Sequence, residues 1–431
     1  MKKFKKNKLK LSLQLLILFI LCLSSFYYGA YSFYYKIFPF NAKKNVEIIK
    51  DKISTNYHDL ELFRYNLPAH SKYGGIETLG NTLLYMSGDG ILYSFKDNDS
   101  EVSFKKIKID KIDNGKNYFL DKYSKELGSL RLKNDFSIKD INISKFEKKN
   151  NNFFFASTIY YNKKKDCFNL SLFKSEILDT QLLSFSNWIK IFSTKQCLKT
   201  DITPKEKFAA ASAGGRIIKY DEKHILLSVG DFYADGVNGP ILSQKLTNDY
   251  GKILKINIID NTYKIFSYGH RNPQGLFIDK KRNIFSTEHG PDGGDELNLI
   301  IENKNYGWPI ATFGTQYSKN TWPEDITNNT HTGFQKPIFS WGPKFGISNL
   351  ILYDGDYFDK WNGNLLITSL VSKSLVRIIL NKESNSVNYL ETIKLKNRIR
   401  DIKQLKNGNI FLLTDTILRD KVPEIILLKK Q

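Results

Sequence analysis

YGHRNPQGLFIDKKRNIFSTEHGPDGGDELNLIIENKNYGWP, residues 268–309, carries the densest set of turn, charge and histidine signals in the chain. Glycines, prolines, charges and two histidines surround two short apolar runs. Such a composition suits loops that build a site on strand ends better than it suits a packed core. FIDKKRNIF at 277–285 predicts two strand ends joined by a turn. EHGPDGGDELN at 288–298 is too rich in glycine and acid for the interior of a strand or helix, and is expected as an exposed loop.

Outward from this stretch, short strand-like runs recur between turn signals from Gly74 onward, among them KHILLSVGDF, GNLLITSL, KSLVRIIL and EIILLKK. Many follow Gly-Asn, Asn-Gly or Asp-Gly turns. NNFFFASTIYYNKKKDCFNLSLF at 151–173 predicts a hairpin with a charged turn, and 96–117 a surface excursion. No long stretch shows a helical period. The 30 Phe and 24 Tyr favour strands. Many short strands with evenly spaced turns suit a sandwich, a barrel or a propeller, and pattern alone does not choose.

Five blocks choose. GHRNPQG at 269–275, EHGPDGGDELNLI at 288–300 and KNYGWP at 304–309 follow YGKILKI at 250–256 and precede NRIRDIKQLKNGNIFLLTDT at 397–416. In composition and order they resemble the glucose/sorbosone dehydrogenase family of soluble quinoproteins, over residues 66–431. The resemblance implies an all-β fold, a six-bladed β-propeller, holding pyrroloquinoline quinone (PQQ) and calcium over its central channel.

The formal net charge is +21. A basic chain can serve nucleic acid or an anionic membrane. Here the lysines are spread through turns such as NKKKD at 162–166, without an arginine-rich stripe or a nucleic-acid motif, so solvated turns are the reading. The N-terminus says more. A basic tail at 1–10 precedes residues 11–35, which carry no charge. That span is long enough to cross a bilayer, and its lysine flank places the tail in the cytoplasm and the body on the exported, periplasmic side. Tyr27, Tyr28, Tyr31, Phe33, Tyr34 and Tyr35 fit an interfacial aromatic belt. A cleaved signal peptide, with Ala30 and Ser32 as a small-residue pair, is the competing reading. Residues 36–65 are expected as a stalk, and 66–431 as the propeller. In an exported body Cys167 and Cys197 are equally compatible with a bridge and with two thiols.

A quinone bearing three carboxylates needs cations, and guanidinium groups bind planar carboxylates bidentately. By the resemblance, Arg271 and Asn272 of G-H-R-N and Arg398 and Arg400 of R-x-R-D contact the cofactor. The main-chain carbonyls of Gly290-Pro291 are the implied calcium ligands, suited to a hard cation. Asp292, Asp295 and Glu296 fit turn capping, since their spacing matches no EF-hand loop, and His270 and His289 fit structural roles. Two departures stand out. In SAGGRIIKYDEKHILLSVGD at 212–231, Ser212 occupies the position of the family's histidine base, while Asp231 keeps that of the acid that orients it. A serine hydroxyl is a poor base near neutral pH. After Ser369-Leu370, where the family carries a cofactor-contacting lysine, stands Val371; Lys373 is nearby.

Two functions follow from the resemblance. One is a membrane-anchored sugar dehydrogenase that oxidises an aldose C1 hydroxyl by hydride transfer to PQQ with calcium assistance. It would use a small-molecule sugar, no nucleic acid and an electron acceptor the sequence does not name. Its base would be Asp231 or a histidine from elsewhere. The alternative is a catalytically degenerate propeller that binds a sugar or quinone without turnover. A purely structural envelope propeller is disfavoured by the intact Arg271, Arg398 and Gly290-Pro291.

Overall fold

The computed structural model describes residues 17–30, 48–68, 73–98, 101–127, 134–146, 151–199, 210, 212–237, 239–317, 322–323, 325–327, 330–415 and 422–431. Two compact units divide the chain, residues 1–47 and 48–431. In the first, residues 17–30 are helical. The basic tail, both ends of the 11–35 span and residues 36–47 lie outside the described residues. Among the described residues no helix is long and apolar enough to cross a membrane.

The second unit is six antiparallel sheets, one per propeller blade. Their inner strands are Gly74–Leu79, Ile138–Phe146, Gly214–Lys219, Pro273–Ile278, Ile347–Leu352 and Arg398–Gln404, heading blades one to six. Each inner strand neighbours the next, and the sixth returns to the first, so the ring closes. Blade six closes it. Asp59–Asn66 pairs antiparallel with Glu424–Lys430, joining the start of this unit to the end of the chain. The stalk boundary at residue 65 is therefore corrected: Ile48–Ser54 and Asp59–Asn66 are the outer strands of this blade. Their alternating burial supplies the reason, since Leu60 and Leu62 pack among Ile399, Ile402 and Ile426.

Two further expectations change. Part of 96–117 belongs to the paired strands Leu92–Asn98 and Glu101–Ile107 of blade one, and Lys116–Leu127 is a helix. The predicted hairpin at 151–173 is present, with Asn162 opposite Cys167. Cys167 and Cys197 form a disulfide, which settles that alternative. The apolar cores lie between neighbouring blades; Leu84 and Met86 of blade one, for example, meet Ile141 and Phe154 of blade two. Burial of such side chains contributes about 1.5–3 kcal/mol each.

Five of the six inner strands slip register near their starts, between Ile138 and Asp140, Gly214 and Ile217, Pro273 and Gly275, Ile347 and Leu350, and Ile399 and Asp401. A bulge leaves its extra residue out of the ladder and re-aims its side chain. The residues so released include Arg216, Gln274, Asn349 and Arg400, which all act at the axis.

Arg216 and Asp401 link all six blades there. The Arg216 guanidinium lies 2.6 Å from Asp140 Oδ1 of blade two and 3.3 Å from Asp401 Oδ1 of blade six. Arg216 Nε donates to the Gln274 carbonyl of blade four at 2.9 Å. Asp401 also accepts from the amide of Ile76 in blade one at 3.0 Å and from Asn349 Nδ2 in blade five at 2.5 Å. All three charged side chains are buried.

Candidate active site

At one end of the ring, where the inner strands begin, a cavity of about 210 Å³ opens on the axis. Arg271, Asn272, Arg398, Arg400, Ser212, Gly290, Pro291 and Val371 all line it. Every cofactor and metal position carried by the resemblance thus faces one space, although more than a hundred residues separate Arg271 from Arg398. Asp231 lies immediately behind Ser212.

Arg398 and Arg400 head blade six's inner strand, two residues apart. Arg398 Nη1 donates to the Leu370 carbonyl at 3.3 Å, while Arg400 pairs with Asp415 and lies 4.8 Å from the Tyr73 ring centroid. Arg271, in the connection between blades three and four, sits 5.3 Å from the Trp308 ring and donates through Nη1 to the Gly290 carbonyl at 2.8 Å. The Nε atoms of all three arginines are buried with no hydrogen-bond partner among the described residues. Leaving a buried charged donor unmet costs more than a neutral one, so three arginines with such donors around one cavity suit an anionic ligand. Asn272 joins blades: its Oδ1 accepts from the Gly214 amide at 3.1 Å and from Gln274 Nε2 at 2.9 Å.

The GPDGGDE segment is not the exposed loop expected of it. It is largely buried, folded between the cavity and blade four. Gly290 is obligatory, since a Cβ there would stand 2.1 Å from the Gly293 carbonyl oxygen. Asp295 caps this turn as expected, accepting from the amides of Gly290 at 3.0 Å, Phe345 at 2.9 Å and Gly346 at 2.6 Å. Glu296 is half-buried, and its desolvation pushes its carboxyl up to about 8. Among the described residues no cluster of three His, Cys, Asp or Glu could hold a metal.

Ser212 Oγ donates to Asp231 Oδ1 at 2.9 Å. The same carboxylate accepts from the Tyr233 amide at 2.9 Å and from Trp308 Nε1 at 2.8 Å. Burial raises Asp231 to about 6, against the pull of Arg271 and these donors. Of the two histidines, His270 is structural as expected. It is fully buried, bonded through Nδ1 to Glu288 and through Nε2 to Ser267, and stacked on Tyr306. His289 instead lines the cavity, with Nε2 buried and without a hydrogen-bond partner among the described residues, and burial holds its imidazole below the usual range. Lys373 is not among the lining residues.

Sequence reasoning did not find Tyr73, Tyr233, Tyr317, Gln274 or Lys344 on the cavity wall. Their only sequence signal is proximity to loop blocks, and Tyr73 and Tyr233 reach the wall from left-handed backbone, with φ of 66° and 61°.

The sequence profile of the glucose/sorbosone dehydrogenase family matches residues 138–420, more than half of the chain. The chain belongs to the glucose/sorbosone dehydrogenase family. An aldose sugar dehydrogenase of Escherichia coli is 30% identical over 216 residues, covering 47% of this chain and 57% of that protein. The chain spans about half the length of the curated relatives it matches. The solved apo form of the soluble aldose sugar dehydrogenase of Escherichia coli superimposes with a TM-score of 0.66 at 20% identity, over 86% of this chain and 100% of that one. The PQQ-bound aldose sugar dehydrogenase of Streptomyces coelicolor does so with a TM-score of 0.56 at 17% identity, over 86% and 98%. These likenesses establish the fold as the propeller of the family.

Proposed function

We propose that this chain is a PQQ-dependent sugar dehydrogenase of its family, with a weakened proton acceptor, held at a membrane by its N-terminal segment. The observation that carries this reading is that three arginines line one axial cavity, each with a buried Nε that has no hydrogen-bond partner among the described residues. That donor set fits a rigid tricarboxylate. Arg398 and Arg400 approach from blade six and Arg271 from the connection between blades three and four, and each planar fork can take a carboxylate edge-on. When bound, the quinone supplies the two-electron acceptor for the sugar C1.

Calcium fits less completely. It takes six to eight oxygen ligands, and the chain offers the carbonyls of Gly290 and Pro291. The Gly290 oxygen already accepts from Arg271, although a carbonyl has a second lone pair. Two carbonyls hold such an ion weakly, so calcium at this step depends on the cofactor to complete its ligands, where it would act as a Lewis acid.

The chain's own contribution to proton removal is the Ser212–Asp231 pair. Ser212 lines the cavity, and its hydroxyl proton already points to Asp231 Oδ1. A sugar hydroxyl at Ser212 Oγ would pass its proton to that oxygen as Ser212 passes its own to Asp231. A carboxyl near 6 is ionised at neutral pH and accepts a proton only weakly. Reconstitution with PQQ and calcium, followed by sugar-dependent dye reduction, tests the reading. Slow turnover supports it. Tight binding with no turnover establishes the degenerate alternative, which Ser212 itself favours.

The uncharged 11–35 span with its lysine flank supports an anchored chain with an exported body, and the Cys167–Cys197 disulfide suits an oxidising compartment. Mass measurement of the membrane-extracted protein is expected to show an intact N-terminus. A mature start near Phe33 would mean a cleaved signal peptide.

A further inference from the structure

The cavity lacks a cation where Val371 stands, yet a different element supplies one on the same side. The connection 342–346, between blades four and five, packs directly on Val371. Gly346 adopts φ +68°, and a Cβ there would lie 2.5 Å from Val371 Cγ2. The Leu370 amide donates to the Gly346 carbonyl at 2.7 Å and the Ser372 amide to the Phe345 carbonyl at 2.9 Å. From the other side Asp295 holds the amides of Phe345 and Gly346. The connection is thus pinned between the GPDGGDE turn and the end of the strand Leu365–Ser369. At its crown is Lys344, which lines the cavity.

Lys344 Nζ lies 3.1 Å from Asp292 Oδ1 and 4.9 Å from the Tyr317 ring centroid. Its side chain is about half exposed, at the cavity mouth. An ammonium has three donors, and Asp292 takes one. The long, flexible stem lets the head move between Asp292 and a ligand in the cavity.

We propose that Lys344 is the fourth anion-binding cation of this cavity and takes over, from a neighbouring loop, the role of the lysine that Val371 has replaced. This rests on the quinone-binding reading above. It assigns a carboxylate of the ligand to Lys344, alongside those met by Arg271, Arg398 and Arg400. It also explains how a cavity can lose a strand lysine and keep its charge: Lys344 stands two residues before Gly346, which packs on Val371.

The test is a titration of PQQ into the wild-type chain, Lys344→Met, Lys344→Met/Val371→Lys and Asp292→Asn. A lost charge-assisted bond is expected to weaken binding roughly 10–100-fold in Lys344→Met. Adding Val371→Lys is expected to restore most of the loss, and Asp292→Asn to leave binding equal or tighter. If Lys344→Met binds within about 2-fold of wild type, where ~0.4 kcal/mol separates them, the proposal fails while the quinone reading stands. Loss without restoration by Val371→Lys, or an equal loss in Asp292→Asn, makes Lys344 a brace for the loop and also overturns it. Absence of PQQ binding in wild type itself removes the reading and the proposal together.

Discussion

Replacing Arg216 by methionine is expected to destabilise the propeller by roughly 3–5 kcal/mol, the usual cost of stripping one partner from a buried ion pair. The magnitude follows from what is left behind. Asp140 and Asp401 are about 2% and 1% exposed at their side chains, and both face the vacated guanidinium. Asp401 keeps amide and Asn349 donors, whereas Asp140 keeps the Ile217 amide at 2.8 Å. Asp140 is therefore the more stranded of the two. Burial already holds it up to about 7 with Arg216 present. An acid whose folded pKa is raised weighs against folding above its unfolded value and ceases to do so once protonated. The loss in Arg216→Met is expected to shrink as the pH falls from 8 toward 5, and a second change, Asp140→Asn, to recover part of it. Denaturant midpoints read both. A loss under about 1 kcal/mol, or one that grows on acidification, would show that the axis is not held by this pair.

Ser212→His is expected to raise sugar turnover by on the order of 10²–10⁴-fold, the usual worth of a positioned base. The site is prepared for it. Asp231 Oδ1 accepts from Ser212 Oγ at 2.9 Å, so an imidazole at 212 has an acceptor for one ring N–H and can turn its other nitrogen to the cavity. Trp308 and the Tyr233 amide fix that carboxylate from behind. In the wild type the rate is expected to rise through about pH 6, because Asp231 serves only as the carboxylate and burial raises it to that region. Steady-state kcat/KM with a dye acceptor, across pH, measures both. If wild type already matches the Ser212→His variant, proton removal is carried elsewhere in the cavity.

The propeller was legible because its evidence is dense and local. Short strands, Gly-Asn turns and the blocks around Arg271, Gly290 and Arg398 give the ring and the identity of one cavity. Residues 48–65 read as a stalk from the sequence because a strand that pairs with Glu424–Lys430 carries no local sign of a partner more than 350 residues away. The GPDGGDE turn reads as exposed from its composition, yet Asp295 points inward to main-chain amides, a use that composition cannot separate from solvation. Lys344 and Tyr73 were missed for a different reason. Their side chains reach the cavity through loop packing and a left-handed residue, neither of which has a period to detect. The bulges hid Arg216 and Asn349 likewise, since strict alternation fails where a strand slips register.

The axial cavity is expected to take an anionic quinone on Arg271, Arg398 and Arg400. Titrating PQQ into the purified chain, with and without calcium, against Arg398→Met and Arg400→Met tests it most directly. Saturable one-to-one binding is expected, tightened by calcium and weakened roughly 10–100-fold by each substitution, as charge-assisted bonds are lost. Wild-type protein that binds no PQQ with calcium present, or that binds it as tightly after both arginines are removed, would contradict the account.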